Sequence, residues 1–407
     1  MAVGPSTFPA DIPAIAGFQI GVAEAGIKKP GRRDLVIMAL EAGSRLAGTF
    51  TRNAFCAAPV HVAREHLTAG VEGPRYLVIN TGNANAGTGD QGMTDARATC
   101  QALAEIAGCD AKAVLPFSTG VIGEPLPMDR LTAALPTAFA NLGEGDWSAA
   151  AHGIMTTDTR PKGSWRTLAL SNGESVTLAG VSKGSGMIRP NMATMLGFVA
   201  TDADLAIDQA ALDAMLRRVV VKSFNSITVD SDTSTNDACM LAVTGQAGRV
   251  EGEDLIAFEA ALAEVMLELA QAIIRDGEGA TKFVTIEVSE ARSQEEARAV
   301  GFTVAHSPLV KTALYASDAN WGRILAAVGR APLAELDVTG VAITLNGVTI
   351  VEQGGRADSY TEAAGSAAMA EEELVIGIRL GRGQQEARIW TSDLSHDYVS
   401  INADYRS

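Results

Sequence analysis

The chain has few of the features that mark nucleic-acid, membrane or secreted proteins. Its 48 acidic residues outnumber its 32 lysines and arginines, so the formal net charge is -16 at pH 7. Binding to a phosphate backbone needs clustered lysine and arginine, and this balance argues against a nucleic-acid partner. The sequence shows no apolar run long enough to cross a bilayer and no signal-peptide pattern in its first residues. We therefore expect a cytoplasmic protein with no membrane partner.

Signals for metals, disulfides and nucleotides are also missing. The four cysteines, Cys56, Cys100, Cys109 and Cys239, form no CxxC pair, and the five histidines show no ligand spacing. The glycine clusters lack both the strand–GxGxxG–helix context of a dinucleotide site and the terminal lysine of a P-loop. No metal or nucleotide cofactor is indicated.

What is present is ordinary globular sequence, with 407 residues of which 47% are hydrophobic and 20% charged. This length predicts two or three structural units. Runs rich in β-branched and aromatic residues predict strands at 35–40, 76–80, 114–117 and 283–288. Helices are predicted from an N-cap at Thr94 to about Ala107, along an apolar face from Leu255 to Ile273, and from Leu212 to about Lys222.

Beyond about residue 335 the pattern changes to paired strands. Asn346-Gly347 between two apolar runs predicts a hairpin, because both turn positions need a positive φ. A second strand pair is predicted at 374–380 and 387–390, joined through Gly381 to Gly383. The fold class is therefore mixed α+β, with antiparallel sheets.

The most unusual stretch is SKGSGMIRPNMATMLGFVATDA, residues 182–203. Gly184 and Gly186 give the backbone freedom, and Pro190 disfavours helix at Arg189, so a constrained turn is expected before Ala193 and Thr194.

Here the sequence resembles the ornithine acetyltransferases, the bifunctional glutamate N-acetyltransferases of arginine biosynthesis. The resemblance covers nearly the whole chain and is carried by these segments: GIKKPGRRDL, GTFTRNAFCAAPV, INTGNANAGTG, STGVIGEPLPMDRL, MTTDTRPK, KGSGMIRPNMATMLGF, DTSTND, RDGEGATKF, SPLVKTALYASDANWGR and DLSHDYVSINADYRS. So many ordered matches make chance resemblance implausible.

The resemblance implies a layered α/β sandwich of the self-processing N-terminal-threonine type, with a smaller C-terminal α+β unit. Cleavage between Ala193 and Thr194 would give an α chain of residues 1–193 and a β chain of residues 194–407. Residues 194–290 would complete the main sandwich, and residues from about 300 to 407 would form the C-terminal unit. The family also implies an assembly of two or more such pairs, a heterotetramer or larger.

It further implies that Thr194 is the nucleophile. A threonine hydroxyl needs a nearby base, and a threonine at a new N-terminus brings its own α-amine, whose pKa near 8 in model peptides suits that task. Thr119 and Gly120 match the family's oxyanion pair. Without the resemblance, Gly120 would be interpreted as a turn residue and Thr119 as a helix cap.

The family's substrate-binding set falls on six positions of this sequence: Thr157, Lys183, Thr194, Glu278, Asn402 and Ser407. Lys183 would meet a carboxylate or an oxyanion, and Glu278 would meet the ornithine ammonium. The alternatives are a solvated lysine, a loop acid, a turn former at Asn402 and a frayed end at Ser407. Thr156 remains the alternative to Thr157 if the register is shifted by one.

The sequence departs from common family forms at Ser185 and Arg189. Arg189 lies close to the scissile bond in sequence and could act on processing or on carboxylate binding, and the sequence leaves this open.

The implied reaction is ping-pong transfer of an acetyl group from N2-acetyl-L-ornithine to L-glutamate, with no metal or cofactor. Acetyl-CoA is a second candidate donor that the sequence neither supports nor excludes. One alternative is a self-cleaving aminopeptidase or amidase, in which water takes the acyl group. The other is an uncleaved binding or scaffold protein, which the intact ATMLG, STGVIG and GEGAT segments argue against.

Overall fold

The computed structural model describes residues 2–4, 8–71, 73–189 and 195–403. Within these ranges the strands are β1 Phe18–Ala23, β2 Leu35–Leu40, β3 Arg45–Phe50, β4 Arg75–Asn83, β5 Val114–Val121, β6 Lys162–Ala169, β7 Ser175–Lys183, β8 Leu196–Thr201, β9 Asp204–Leu205, β10 Ile227–Thr228, β11 Ala238–Val243, β12 Arg249–Val250, β13 Phe283–Ala291, β14 Ala342–Leu345, β15 Val348–Glu352, β16 Gly355–Arg356, β17 Glu373–Arg379 and β18 Gln385–Ser392. The helices are α1 Ala58–Thr68, α2 Gly89–Ala107, α3 Met128–Ala140, α4 Trp147–Ile154, α5 Gln209–Lys222, α6 Glu253–Arg275, α7 Gln294–Ala305, α8 Pro308–Tyr315, α9 Trp321–Gly329, α10 Glu362–Met369 and α11 His396–Ala403.

Two sheets stacked face to face form the main body. One has the strand order β1-β2-β4-β5 and the other the order β3-β11-β8-β7-β6. Their inner faces share one buried apolar cluster, which includes Met38, Ile79, Phe117, Phe198 and Met240. Helices α2 and α3 cover the outer face of the first sheet, and α5 and α6 cover that of the second. The predicted layered sandwich is confirmed, with a layer of helices on each side of two sheets.

Helix α6 shows why the second sheet is covered. Its apolar residues recur every three or four positions, and Phe258, Leu262 and Leu269 are fully buried against that sheet. Each such side chain contributes roughly 1.5–3 kcal/mol through burial. The predicted helix at α5 and the predicted apolar face of α6 are both confirmed. No helix within the described ranges is both long and apolar enough to cross a membrane.

A third sheet, with the order β10-β18-β13-β17-β14-β15-β16, forms the C-terminal unit together with helices α7 to α10. Asn346 and Gly347 have φ values of 46° and 80°, which confirms the predicted hairpin. The predicted pairing of the strands that follow is wrong. β17 and β18 do not pair with each other, because β13 lies between them, parallel to β17 and antiparallel to β18.

Two further expectations need correction. Thr94 is not an N-cap, because α2 already begins at Gly89 and the Thr94 hydroxyl donates to the Asp90 carbonyl one turn earlier. The predicted stop at Gly108 is confirmed by its left-handed φ of 68°. The three large sheets are not antiparallel but mixed, since β4 with β5, β8 with β11 and β13 with β17 run parallel.

Candidate active site

A cavity of about 280 Å³ opens where the ends of β5 and β7 meet the loops that follow α4 and α6 and one face of α11. All six of the predicted site residues that the structure describes line it: Thr119, Gly120, Thr157, Lys183, Glu278 and Asn402. These residues are separated by up to 283 positions in sequence, and the fold brings them to one pocket. Ala193, Thr194 and Ser407 lie outside the described residues.

Thr119 and Gly120 lie near the end of β5, so neither is a turn residue or a helix cap. Gly120 has a φ of 139°, and an added Cβ would lie 2.2 Å from the carbonyl carbon of Gly82 on β4. Only glycine allows the two strands to approach so closely. Asn236 connects β5 to the loop after β4, because its side-chain amide donates to the carbonyls of Ala84, at 2.6 Å, and Ser118, at 3.0 Å.

Lys183 ends β7 and is buried, with only 9% of its surface exposed, so it is not a solvated charge. Its Nζ donates to Thr156 Oγ1 at 2.7 Å and to Thr119 Oγ1 at 3.3 Å, and it lies 3.9 Å from Asp158 Oδ2. Burial lowers the pKa of Lys183 below its usual value, and the nearby Asp158 carboxylate opposes that shift. The ammonium is therefore a poorly hydrated cation at the wall of the cavity.

Thr156 and Thr157 both line the cavity, but they have different partners. Thr156 accepts the hydrogen bond from Lys183, whereas Thr157 Oγ1 shares a 2.7 Å hydrogen bond with Ser185 Oγ. The sequence interpretation favoured Thr157 and kept Thr156 as the alternative, and it is Thr156 that lies beside the lysine. The departure from the family at Ser185 has a structural counterpart, because its hydroxyl bonds directly to a pocket residue.

Glu278 follows α6 and is 8% exposed, so it is not a solvated loop acid. Its backbone N–H donates to the Ser185 carbonyl at 2.9 Å, and Asn402 Nδ2 donates to its Oε2 at 2.9 Å. Gly186 packs against the carboxylate so closely that an added Cβ would lie 2.3 Å from Oε2. Asn402 lies on α11 and therefore is not a turn former.

The other departure, Arg189, is exposed. Its charge adds to the effect of burial in lowering the pKa of His306 to about 4. His306 is therefore neutral at physiological pH, and its Nε2 lies 3.2 Å from the hydroxyl of Thr228.

Sequence reasoning missed part of the pocket wall. Ser234, Thr235, Asn236 and Asp237 also line the cavity, and Asp237 is almost fully buried. They belong to the DTSTND segment, whose run of short polar residues before a buried strand was the available signal. The pocket thus combines hydroxyl groups, one buried ammonium and carboxylates. Among the described residues no group of three or more His, Cys, Asp or Glu side chains could hold a metal ion.

A two-sheet sandwich between helices, with a small pocket that offers both a cation and a carboxylate, is typical of an enzyme that binds a small charged molecule. A sequence model described as "ArgJ family" matches residues 19–407. The chain belongs to the ArgJ family.

Curated relatives extend over the whole chain. The "Arginine biosynthesis bifunctional protein ArgJ" of Pseudomonas syringae pv. tomato is 56% identical over 412 residues, which cover 100% of both chains. The protein of the same name from Methylococcus capsulatus is 56% identical over 397 residues, which cover 97% of this chain and 96% of that one. The family predicted from the sequence is confirmed, and the chain is an enzyme of arginine biosynthesis.

Two solved structures are also similar. ArgJ from Bacillus halodurans is 36% identical with a TM-score of 0.47, and the match covers 52% of this chain and 99% of that chain. Ornithine acetyltransferase from Mycobacterium tuberculosis, solved in complex with ornithine, is 33% identical with a TM-score of 0.37, and the match covers 45% of this chain and 94% of that chain.

Proposed function

We propose that this enzyme transfers the acetyl group of N2-acetyl-L-ornithine to L-glutamate through an acetyl-Thr194 intermediate. The observation that carries the proposal is the convergence of Thr119, Gly120, Lys183 and Glu278 on one cavity. Met195, the residue that follows Thr194, lies on the wall of the same cavity.

Self-cleavage would come first. The Thr194 hydroxyl attacks the Ala193 carbonyl, the acyl group moves from nitrogen to oxygen, and water hydrolyses the resulting ester. The products are chains of residues 1–193 and 194–407, and the freed α-amine of Thr194 becomes the general base for its own hydroxyl.

Acetyl transfer would follow in two half-reactions. Thr194 Oγ attacks the acetyl carbonyl, the α-amine of ornithine leaves with a proton from the Thr194 amine, and the α-amine of glutamate then takes the acetyl group. Lys183 donates to Thr119 Oγ1, so the hydrogen of that hydroxyl is free to point at the developing oxyanion, beside the Gly120 N–H.

The pocket suits an acetylated diamino acid. The Lys183 ammonium has used two hydrogens on Thr119 and Thr156, and its third is available to the substrate carboxylate. Glu278, held by Asn402, would accept the side-chain ammonium. Thr157 and Ser407 complete the proposed binding set.

The test separates transfer from hydrolysis. Purified protein is incubated with N2-acetyl-L-ornithine with and without L-glutamate, and ornithine and N-acetylglutamate are quantified. We expect the two products in equal amounts and only with glutamate present. Ornithine release that does not depend on glutamate would establish the self-cleaving amidase instead.

Acetyl-CoA is a second proposed donor, because a second cavity favours a phosphorylated ligand. This cavity, of about 200 Å³, shares Gly120, Thr156 and Thr157 with the first, and its other lining residues include Lys28, Lys29, Arg32 and Asp34. Three of these four side chains are cationic, although the whole chain has a net charge of -16. Lys29→Gln should weaken acetylation of glutamate by acetyl-CoA while leaving transfer from acetylornithine unchanged. Equal effects on both donors would contradict this role.

We further propose a cytoplasmic assembly of two or more α/β pairs. The four cysteines are all free, which suits a reducing compartment. Leu309 and Val399 are 61% and 64% exposed, and such apolar side chains suit burial between subunits. Light scattering that finds a single pair would contradict the assembly.

A further inference from the structure

A buried ion cluster lies behind the cavity. Lys162, the first residue of β6, is 2% exposed, and its Nζ lies 2.6 Å from Asp158 Oδ1 and 2.7 Å from Asp276 Oδ2. The carbonyl of Arg160 accepts its third hydrogen at 3.2 Å. All three donors of the ammonium are therefore satisfied inside the protein.

Asp158 connects Lys162 to the part of the pocket wall that Lys183 forms. Its Oδ1 also accepts the Gly184 N–H at 2.7 Å, and its Oδ2 accepts the Thr156 N–H at 3.0 Å. Oδ2 is also the atom that lies 3.9 Å from Lys183 Nζ. The carboxylate is thus shared between Lys162 and Lys183, and it fixes the backbone on both sides of the Lys183 side chain.

Asp276 connects Lys162 to the loop that carries Glu278 into the pocket wall. It follows the end of α6 and precedes Glu278 by two residues. Its Oδ2 accepts the Thr159 N–H at 2.9 Å, so the loop that bears Glu278 is fastened to the loop that bears Thr156 and Thr157. Under the proposed cleavage, Lys162 and Asp158 would lie on one chain and Asp276 and Glu278 on the other.

The ammonium groups of Lys162 and Lys183 share this cluster with the carboxylates of Asp158 and Asp276, and Asp237 and Glu278 are two further acids near Lys183. A buried ion pair contributes little net stability, because desolvation offsets most of the attraction. Stability alone therefore does not account for a fully buried lysine that contacts both loops of the pocket.

We propose that Lys162 is a positioning residue for acetyl transfer. Through Asp158 and Asp276 it holds Lys183 and Glu278 at a fixed separation across the two chains, and it limits how strongly Asp158 can bind Lys183. This inference rests on the proposed function. The charged groups around Lys183 are Asp158, Lys162, Asp237 and Glu278, in that order of influence.

Three variants test this role: Lys162→Met, Asp276→Asn and the two combined. Arg75→Met is the matched control, because Arg75 is also a buried cation, but it lies at the opposite end of β4 from the pocket and donates to the His66 carbonyl. For each purified variant, intact mass reports cleavage, thermal unfolding reports folding, and steady-state kinetics from pH 6 to about 10.5 report kcat and KM for acetylornithine.

Asp276→Asn keeps Lys162 bound to Asp158 but replaces its ion pair with the Glu278 loop by at most a neutral hydrogen bond. KM for acetylornithine should therefore rise while the alkaline limb of kcat/KM stays in place. In the combined variant Lys183 is the one ammonium left beside Asp158, so the pKa of Lys183 should rise. The alkaline limb of kcat/KM should then move to higher pH, in addition to the rise in KM. A misplacement of about 1 Å predicts a loss of roughly 100-fold in kcat/KM. Arg75→Met should match the wild type in KM and pH profile.

A merely structural salt bridge would give variants with lower thermal stability but a wild-type KM and an unshifted alkaline limb, and this result would overturn the inference. If Lys162→Met does not fold, Asp276→Asn decides, because its amide oxygen can still accept from Thr159 and the ammonium keeps one carboxylate. Wild-type protein that transfers no acetyl group to glutamate would contradict the proposed function and this inference together. Active wild type with kinetically unchanged variants would overturn this inference alone.

Discussion

Replacing Gly186 with alanine should sharply lower activity with N2-acetyl-L-ornithine without unfolding the protein. The added Cβ would lie 2.3 Å from Glu278 Oε2 and 2.6 Å from Oε1, and no backbone atom is among its nearest neighbours. The atoms in the way are the end of a flexible side chain, which can move while the fold stays intact. The free energy of unfolding should therefore change little, whereas the position of the carboxylate must change.

The size of the effect follows from the distances. Ordinary van der Waals contact requires a shift of the carboxylate by about 1 Å. That shift breaks the 2.9 Å hydrogen bond from Asn402 and moves the negative charge away from the position proposed for the substrate ammonium. A misplacement of this size should lower kcat/KM for N2-acetyl-L-ornithine by roughly 100-fold.

The assay compares two donors. N2-acetyl-L-ornithine carries the side-chain ammonium, and N2-acetyl-L-norvaline has the same carbon chain without it. The variant should lose activity with the first donor and little with the second, because only the first carries the ammonium proposed to contact Glu278. Gly70→Ala is the matched control, since an added Cβ there has no neighbour within 4 Å. A folded Gly186→Ala enzyme with a wild-type KM for acetylornithine would refute the assignment of Glu278.

Three further predictions concern the fold and the pH profile. Gly120→Ala should lower the free energy of unfolding in urea by about 3 kcal/mol or more, because the clash is with the backbone of Gly82; an unchanged midpoint would contradict this. Burial lowers the pKa of Lys183, so kcat/KM should fall with rising pH before the usual lysine value of 10.5 is reached. The reason is that the ammonium loses the proton with which it would bind a carboxylate. Activity that persists beyond that pH would exclude Lys183 as the carboxylate ligand. Phe258→Ala should cost about 3–5 kcal/mol in urea unfolding because the ring is fully buried, and Ile256→Ala, at an exposed position on the same helix, about 0.5 kcal/mol at most.

Local signals in the sequence predicted local structure well. The hairpin at Asn346-Gly347 and the end of α2 at Gly108 follow from residues that tolerate a positive φ, and no distant contact is needed to set them. The apolar face of α6 was equally readable, because its periodicity reports the surface that must be buried.

Long-range pairing could not be read in the same way. β17 and β18 are neighbours in sequence with a glycine-containing link, which favoured a hairpin, yet β13 inserts between them from about 90 residues earlier. The start of α2 was misplaced because Thr94 has a capping residue type but lies inside the helix, where its hydroxyl bonds to the carbonyl one turn earlier.

The pocket was predictable only as far as the family resemblance extends. The resemblance indicated Thr119, Lys183 and Glu278, which the structure brings together, but it did not indicate the hydrogen-bond partner of each side chain. That Thr156 accepts from Lys183, and that Lys162 connects the two loops behind it, depends on side-chain directions that one sequence does not encode in any local pattern.

Intact-mass spectrometry of the wild type and of Thr194→Ala shows whether the chain cleaves itself at Thr194. We expect two chains in the wild type, residues 1–193 and residues 194–407 with a free N-terminal threonine, and one uncleaved, inactive chain in the variant. Brief incubation of the wild type with N2-acetyl-L-ornithine, without glutamate, should add one acetyl group to the second chain. A wild type that remains a single chain and still transfers acetyl groups would contradict Thr194 as the nucleophile.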